Sequence, residues 1–199
     1  MNEHIAILGT GRMGRALAGR LARAGLAVAI GSRSPERAAA LADELRASVP
    51  GASIAAGTYA EAAARSGASI LALGFGDALA LLPTLCGPLA GKLVLDPTTP
   101  WDEEIAEASA AERLAALMPP EARLVGAWKT TFAGTLDSSD PGGTVHDVLL
   151  CGADAAAKRQ AAALIAATGM RAVDCGGLDQ ARTLEAMVRM MGAAARNLG

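Results

Sequence analysis

Short apolar runs alternate along the chain with longer alanine-rich stretches of helical periodicity. The longer stretches that follow the first two runs lie at 12–24 and 35–47. The apolar runs occupy residues 5–8, 26–30, 69–73, 93–95, 123–127, 145–150 and 171–173. Parallel neighbours need a connection of a dozen or more residues, so this alternation predicts parallel strands joined by crossover helices. The predicted fold class is α/β, with a doubly wound, mainly parallel sheet that helices cover on both faces.

Local signals mark several element boundaries. The Ser-Pro-Glu sequence at 34–36 supplies an N-cap, a proline for the first helical position and an acidic first turn, which predicts a helix beginning at residue 35. Residues 179–198 predict one amphipathic final helix. The polar stretch 137–144 predicts a mobile loop. We take it as the boundary between a first domain, 1–143, and a small C-terminal α/β lobe, 144–199, that ends in the long helix.

Composition narrows the class of protein. Hydrophobic residues make up 52% and charged residues 19% of the chain, which excludes a disordered protein. The net charge of −2 offers no broad attraction for nucleic acid or an anionic membrane. Charges and prolines interrupt the longest weakly charged stretch, 69–95, so no membrane span is expected. The first residues lack a basic secretory leader, and three cysteines without a CxxC pair indicate reduced thiols in the cytoplasm.

The sequence GTGRMG at 9–14 follows the first predicted strand directly and opens the first helix. Gly9 permits the tight turn, Gly11 lets the backbone approach a pyrophosphate, and Gly14 allows close packing of the helix on the strand. The free N–H groups at the helix start face the anion. Arg12 is a cation in the first turn, which is unfavourable unless an anion lies nearby; a solvated arginine is the alternative. The motif in this context predicts a Rossmann-type dinucleotide site.

The end of the second strand indicates which dinucleotide binds. An NAD-preferring site places Asp or Glu there to accept a hydrogen bond from the ribose 2′-hydroxyl. This chain has Ser32 and Arg33 instead, and Arg37 lies one helical turn beyond. A hydroxyl and two guanidinium groups can hold a 2′-phosphate, although solvated arginines are the alternative. The sequence therefore predicts NADP(H).

Residues 5–37 resemble the F420-dependent NADP oxidoreductase family. That family has the same glycine loop, a Gly-Ser-Arg at the end of the second strand and a basic residue four positions after the arginine. Weaker similarity continues over almost the whole chain, including the Asp-x-Thr-Asn-Pro-like turn at 96–100 and the Phe-Asn-Thr-like loop within 125–133. The resemblance implies NADPH along the strand ends and a deazaflavin or flavin stacked on the nicotinamide. Hydride then passes directly between the rings, so no catalytic acid or base and no metal is expected.

The chain departs from the family where the second ring should lie. It has Trp128, Lys129 and Thr130 in place of Phe-Asn-Thr, and these are the predicted substrate-side residues. Trp128 either stacks on a planar ring or packs in the core; Lys129 either holds an anionic group or is a surface lysine. Phe75 follows a strand near the expected nicotinamide ribose and either packs on the ring or in the core. The predicted cofactor contacts are Gly9, Thr10, Gly11, Arg12, Met13, Ser32, Arg33, Arg37, Gly74 and Phe75.

The leading function is therefore an NADP(H)-dependent oxidoreductase that passes hydride to or from a small-molecule redox partner, F420 or a flavin. An imine reductase of the pyrroline carboxylate type shares the opening motif, but few residues remain here for its large helical dimerisation domain. A non-catalytic NADPH-binding regulatory protein is a third alternative. The small size and the apolar final helix also predict a homodimer.

Overall fold

The computed structural model describes residues 4–101, 108–137 and 145–197. They include one eight-stranded sheet with the order β3-β2-β1-β4-β5-β6-β7-β8. The strands are β1 (His4–Leu8), β2 (Val28–Ser32), β3 (Ile54–Thr58), β4 (Ser66–Ile70), β5 (Leu93–Asp96), β6 (Arg123–Ala127), β7 (Asp147–Gly152) and β8 (Arg171–Asp174). All neighbours pair in parallel except β6 and β7, which are antiparallel. The predicted α/β class with a mainly parallel sheet is confirmed.

Helices connect most of the strands. They are α1 (Arg12–Arg23), α2 (Pro35–Ser48), α3 (Tyr59–Ala64), α4 (Phe75–Leu81), α5 (Cys86–Leu89), α6 (Ala110–Ala115), α7 (Ala133–Asp137), α8 (Ala155–Ala167) and α9 (Ala181–Asn197). Ser34 caps α2 as predicted, with its hydroxyl accepting from the Arg37 amide. Capping boxes begin α3 and α6. The predicted final helix is α9, preceded by a 3₁₀ turn at Leu178–Gln180.

The hydrophobic core lies on both faces of the sheet. Along β1, Ile7 packs into one buried cluster, and its neighbours Ala6 and Leu8 pack into the other. Successive side chains of a strand point to opposite faces, so a strand buried on both sides is a continuous apolar run. None of the helices described is both long and apolar enough to cross a bilayer.

The structure differs from the sequence analysis at three points. Strand β3 was not predicted, β4 begins before the predicted run at 69–73, and β7 reverses direction relative to β6. Most of the predicted loop at 137–144 lies outside the described residues. The division at 143/144 stays a prediction, and the pairing of β6 with β7 continues the sheet across it.

Candidate functional site

The glycine loop joins β1 to α1 at the carboxyl edge of the parallel strands. Gly9 has φ +128°, and a Cβ there would lie 2.1 Å from the Ala72 carbonyl oxygen. A Cβ on Gly14 would lie 2.1 Å from the carbonyl oxygen of Gly9. Gly11 caps α1, and a Cβ there would meet nothing within 4 Å. Two glycines thus allow the tight packing, and the third leaves open space beside the helix N-terminus, as a pyrophosphate requires.

At the end of β2, a buried serine is followed by exposed arginines. Ser32 is buried, and its Oγ accepts a hydrogen bond from the Ser34 amide at 3.2 Å. Arg33 has a side chain that is 78% exposed, with Nη1 3.7 Å from Asp77 Oδ1 on α4. Arg37 is exposed on the first turn of α2. Glu36 accepts a 2.6 Å hydrogen bond from the Ser34 hydroxyl, which lowers the pKa of Glu36.

Three cavities lie along the carboxyl ends of the strands. The central cleft, about 300 Å³, is lined by Gly11, Arg12, Met13, Ala72, Leu73, Gly74, Pro97, Thr98, Thr99, Trp101, Lys129, Thr131, Phe132, Ala133 and Val188. The α2 pocket, about 360 Å³, is lined by Thr10, Gly11, Arg15, Arg37, Ala40, Leu41 and Glu44. The α4 pocket, about 210 Å³, is lined by Arg33, Tyr59, Leu73, Asp77, Ala80, Leu81 and Thr84. Shared residues Gly11 and Leu73 join the three into one groove across the strand ends, where this fold binds dinucleotides.

A buried ion cluster lies against the central cleft. Lys129 Nζ is 2.7 Å from Asp96 Oδ2 and 2.9 Å from Glu185 Oε1, and it donates to the Thr98 carbonyl oxygen at 2.7 Å. The lysine and aspartate side chains are 0% exposed and that of Glu185 is 7% exposed. Two carboxylates and one carbonyl oxygen thus surround the single ammonium at ion-pair and hydrogen-bond distances. Burial alone would lower the pKa of Lys129, but the two carboxylates raise it above its ordinary value.

The cluster joins three elements of the fold. A Cβ on Gly126 would lie 3.2 Å from Lys129 Cε, so the absence of a side chain on β6 leaves room for the lysine. On α9, Glu185 also accepts from the amides of Ala110 and Ala111 at 2.9 and 3.3 Å. These amides belong to the first turn of α6, where a carboxylate is favourable.

Comparisons with known proteins agree with this geometry. The family model described as "NADP oxidoreductase coenzyme F420-dependent" matches residues 4–100. The F420-dependent NADP reductase of Methanothermobacter marburgensis is 32% identical over 203 residues, which cover 94% of this chain and 90% of that protein. The chain belongs to the F420-dependent NADP oxidoreductase family.

Two further relatives of this chain differ in how much of their own length the chain covers. Metalloreductase STEAP3 of Rattus norvegicus is 34% identical over 185 residues, 92% of this chain, but the chain spans only 36% of that protein. The crystal structure of a putative F420-dependent NADP-reductase from Arthrobacter sp. FB24 is 30% identical. It superposes with a TM-score of 0.78 over 96% of this chain and 94% of that chain.

The cofactor contacts predicted for this family member are divided among the three cavities. Gly11, Arg12, Met13 and Gly74 line the central cleft; Thr10 and Arg37 line the α2 pocket; Arg33 lines the α4 pocket. Ser32 lies behind its arginine neighbour, and Gly9 packs behind the loop.

Phe75, Trp128 and Lys129, whose positions the sequence left open, are all buried. Phe75 is 4% exposed and Trp128 1% exposed, and both rings pack in the hydrophobic core. The Arg113 guanidinium covers the Phe75 ring, 4.7 Å from its centroid. Lys129 is buried, so it is not the surface lysine of one alternative, and it lines the central cleft. Thr130 is half-buried, and its neighbour Thr131 lines the cleft instead.

The sequence analysis missed two aromatic residues in the cleft. Trp101 and Phe132 both line it, with exposures of 46% and 41%. Aromatic residues make up only 3% of the chain, so each aromatic position was a candidate for a functional role, and this signal could have drawn attention to both residues. Asp96 and Glu185 were also missed as lysine partners, because 33 and 56 residues separate them from Lys129 along the chain.

Proposed function

We propose that this protein transfers hydride between NADP(H) and the deazaflavin coenzyme F420. The observation that carries the NADP(H) assignment is the end of β2, where Arg33 and Arg37 expose two guanidinium groups beside the groove. Asp77 lies 3.7 Å from Arg33, and Glu36 accepts a hydrogen bond from the Ser34 hydroxyl. A 2′-phosphate would find two planar cations here, whereas the end of β2 carries no carboxylate to accept a hydrogen bond from a 2′-hydroxyl.

The groove suggests how the chain holds the dinucleotide. The pyrophosphate lies at the N–H groups that begin α1, beside Gly11 and Arg12. The adenosine half extends toward the α2 and α4 pockets, and the nicotinamide half enters the central cleft past Gly74. Thr10, Met13 and Ser32 complete the proposed contacts.

The chemistry asks little of the side chains. Hydride leaves the nicotinamide ring of NADPH with its electron pair and bonds to the deazaflavin ring, which also takes up one proton from solvent. The protein supplies placement of the two rings and exclusion of water. The cleft contains no carboxyl, imidazole or phenol group among the described residues that line it, and three oxygen atoms surround Lys129 Nζ. Direct ring-to-ring transfer does not require such a group.

Arg33→Ala tests the NADP(H) assignment. A charge-assisted hydrogen bond contributes about 1.5–3 kcal/mol, so we expect NADPH to bind about tenfold or more weakly while NADH binding changes little. Arg65→Ala is the matched control. It removes an exposed guanidinium just before β4, at the amino ends of the parallel strands and away from the groove. Equal losses for NADPH and NADH in a fluorescence titration would contradict the assignment.

An acceptor screen tests the reaction. NADPH oxidation is followed by absorbance with F420, FMN, ferric citrate or a cyclic imine as acceptor. Rapid turnover with F420 supports the proposal. Turnover with the imine alone would identify an imine reductase, and tight NADPH binding without any turnover would identify a regulatory protein.

We further propose a cytoplasmic homodimer that associates through α9. Met187, Met190 and Met191 on this helix are 38%, 68% and 38% exposed, an apolar face suited to contact with a second copy. The three free thiols support a reducing compartment. Sedimentation of the wild type and of Met190→Glu tests the dimer; a monomeric wild type would contradict it.

A further inference from the structure

The central cleft contains an unusual concentration of aromatic surface. The chain is only 3% aromatic, yet Trp101 and Phe132 both line this one cavity and are 46% and 41% exposed. Trp128 and Phe75 are buried, as large aromatic side chains usually are. Two half-exposed rings at the mouth of a ligand cavity indicate a surface that is covered when the ligand binds.

Helix α9 packs against Trp101. A Cβ on Gly192 would lie 2.8 Å from Cζ3 and 3.2 Å from Cη2 of the indole, so the ring rests directly on the helix at a residue without a side chain. Arg189 on the same helix donates to the Pro100 carbonyl oxygen at 3.2 Å. The preceding residues are fixed by Lys129, which binds Asp96 and the Thr98 carbonyl. The indole thus packs on a helix that also holds the preceding backbone, and such preorganisation lowers the entropic cost of binding.

The rest of the cleft favours a planar, weakly polar ligand on this side. Val188, Pro97 and Ala133 add apolar lining, and the Lys129 ammonium is already paired with two carboxylates. Stacking on an aromatic side chain contributes about 1–3 kcal/mol per heteroaromatic ring. A small cyclic imine or hydrated iron would gain little from such a surface, whereas a tricyclic ring would cover it.

We propose that Trp101, with Phe132 beside it, is the stacking surface for the tricyclic ring of the hydride acceptor, a deazaflavin or a flavin. This inference rests on the proposed function, since it names the residues that select the second substrate. Trp128, the tryptophan within the family-like loop, does not take this role.

Two substitutions at Trp101 test the proposal, with F420 and FMN as probes. Trp101→Leu removes the aromatic face and should raise the acceptor KM about tenfold, in keeping with about 1–3 kcal/mol of lost stacking, while the NADPH dissociation constant stays within about twofold. Trp101→Phe keeps an aromatic face and should restore most of the acceptor KM. Leu117→Ala, which removes an exposed apolar side chain outside the cleft, is the control and should leave both constants unchanged.

A binding measurement separates this inference from the proposed function. With NADP+ present, F420 or FMN should quench the tryptophan emission of the wild type, and the quenching should be much smaller in Trp101→Phe. If the wild type turns over no acceptor, but its quenching is lost in Trp101→Phe, the stacking surface is supported and the proposed reaction is overturned. Wild-type turnover with unchanged acceptor KM in Trp101→Leu would overturn the stacking surface alone. Neither turnover nor quenching in the wild type would overturn both.

Discussion

Replacing Lys129 with methionine tests how much the buried ion cluster stabilises the fold. Methionine has a similar length and volume, so it still fills the space beside Gly126, but it carries no charge. Asp96 and Glu185, 0% and 7% exposed, would then lie close together without a cation between them.

The expected loss follows from burial. Breaking a buried ion pair by removing one partner costs about 3–5 kcal/mol, because the remaining charge stays buried without compensation. The Thr98 carbonyl also loses its donor, but Glu185 keeps the two amide hydrogen bonds from Ala110 and Ala111. We therefore expect Lys129→Met to lower the free energy of unfolding by about 3 kcal/mol, out of about 5–15 kcal/mol for a typical domain.

Urea unfolding at several pH values measures this loss. The matched control is Lys158→Met, which breaks a 2.9 Å pair with Asp174 whose carboxylate side chain is 54% exposed; there we expect less than about 1 kcal/mol. The pKa of Lys129 is raised above 10.5, so the lysine's contribution to stability is fully present at lower pH and is lost as the pH rises through the raised value.

The double variant Lys129→Met with Glu185→Gln removes the cation and one anion together. It should recover part of the lost stability, because only one buried charge then remains. Equal destabilisation by the two single lysine substitutions, or a loss in Lys129→Met that does not depend on pH, would refute a role for the cluster's charges.

Two further outcomes follow from the glycine loop and the thiols. Gly11→Ala should change the unfolding free energy by no more than about 1 kcal/mol, yet weaken NADPH binding more than about tenfold, because its methyl group enters the space for the pyrophosphate. Gly9→Ala should destabilise the protein by at least about 2 kcal/mol, since the φ of Gly9 is +128° and the Cβ would lie 2.1 Å from the Ala72 oxygen. A thermal melt and an NADPH titration of each variant separate the effect on stability from the effect on binding. Similar melting temperatures for the two variants would contradict these roles. Burial raises the pKa of Cys151 to about 11, so alkylation at neutral pH followed by peptide mass spectrometry should find the exposed Cys86 modified and Cys151 protected until unfolding. Rapid labelling of Cys151 in the folded protein would contradict its burial.

The β1-α1-β2 unit with the start of α2 could be predicted from the sequence because its signals are local. An apolar run buried on both faces, glycines at fixed spacing and a Ser-Pro helix start act within a few residues of one another. Strand β3 escaped prediction because Ile54 is its only large apolar residue and the strand lies at the sheet edge. In β4, the buried polar Ser66 and the following glycine hide the first part of the strand.

Tertiary structure alone decided the reversal of β7 and the architecture of the cleft. A strand runs parallel or antiparallel to its neighbour according to the end of the sheet at which the preceding connection delivers the chain. The local residue pattern of β7 does not contain that information. Lys129 finds its partners on β5 and α9, and Trp101 rests against Gly192 of α9 beside the cleft while Trp128 packs in the core. The sequence by itself determined the glycine loop and the end of β2, because short-range chain geometry builds them. Packing between distant segments built the aromatic side of the central cleft, and such contacts exist only once the sheet and α9 have come together.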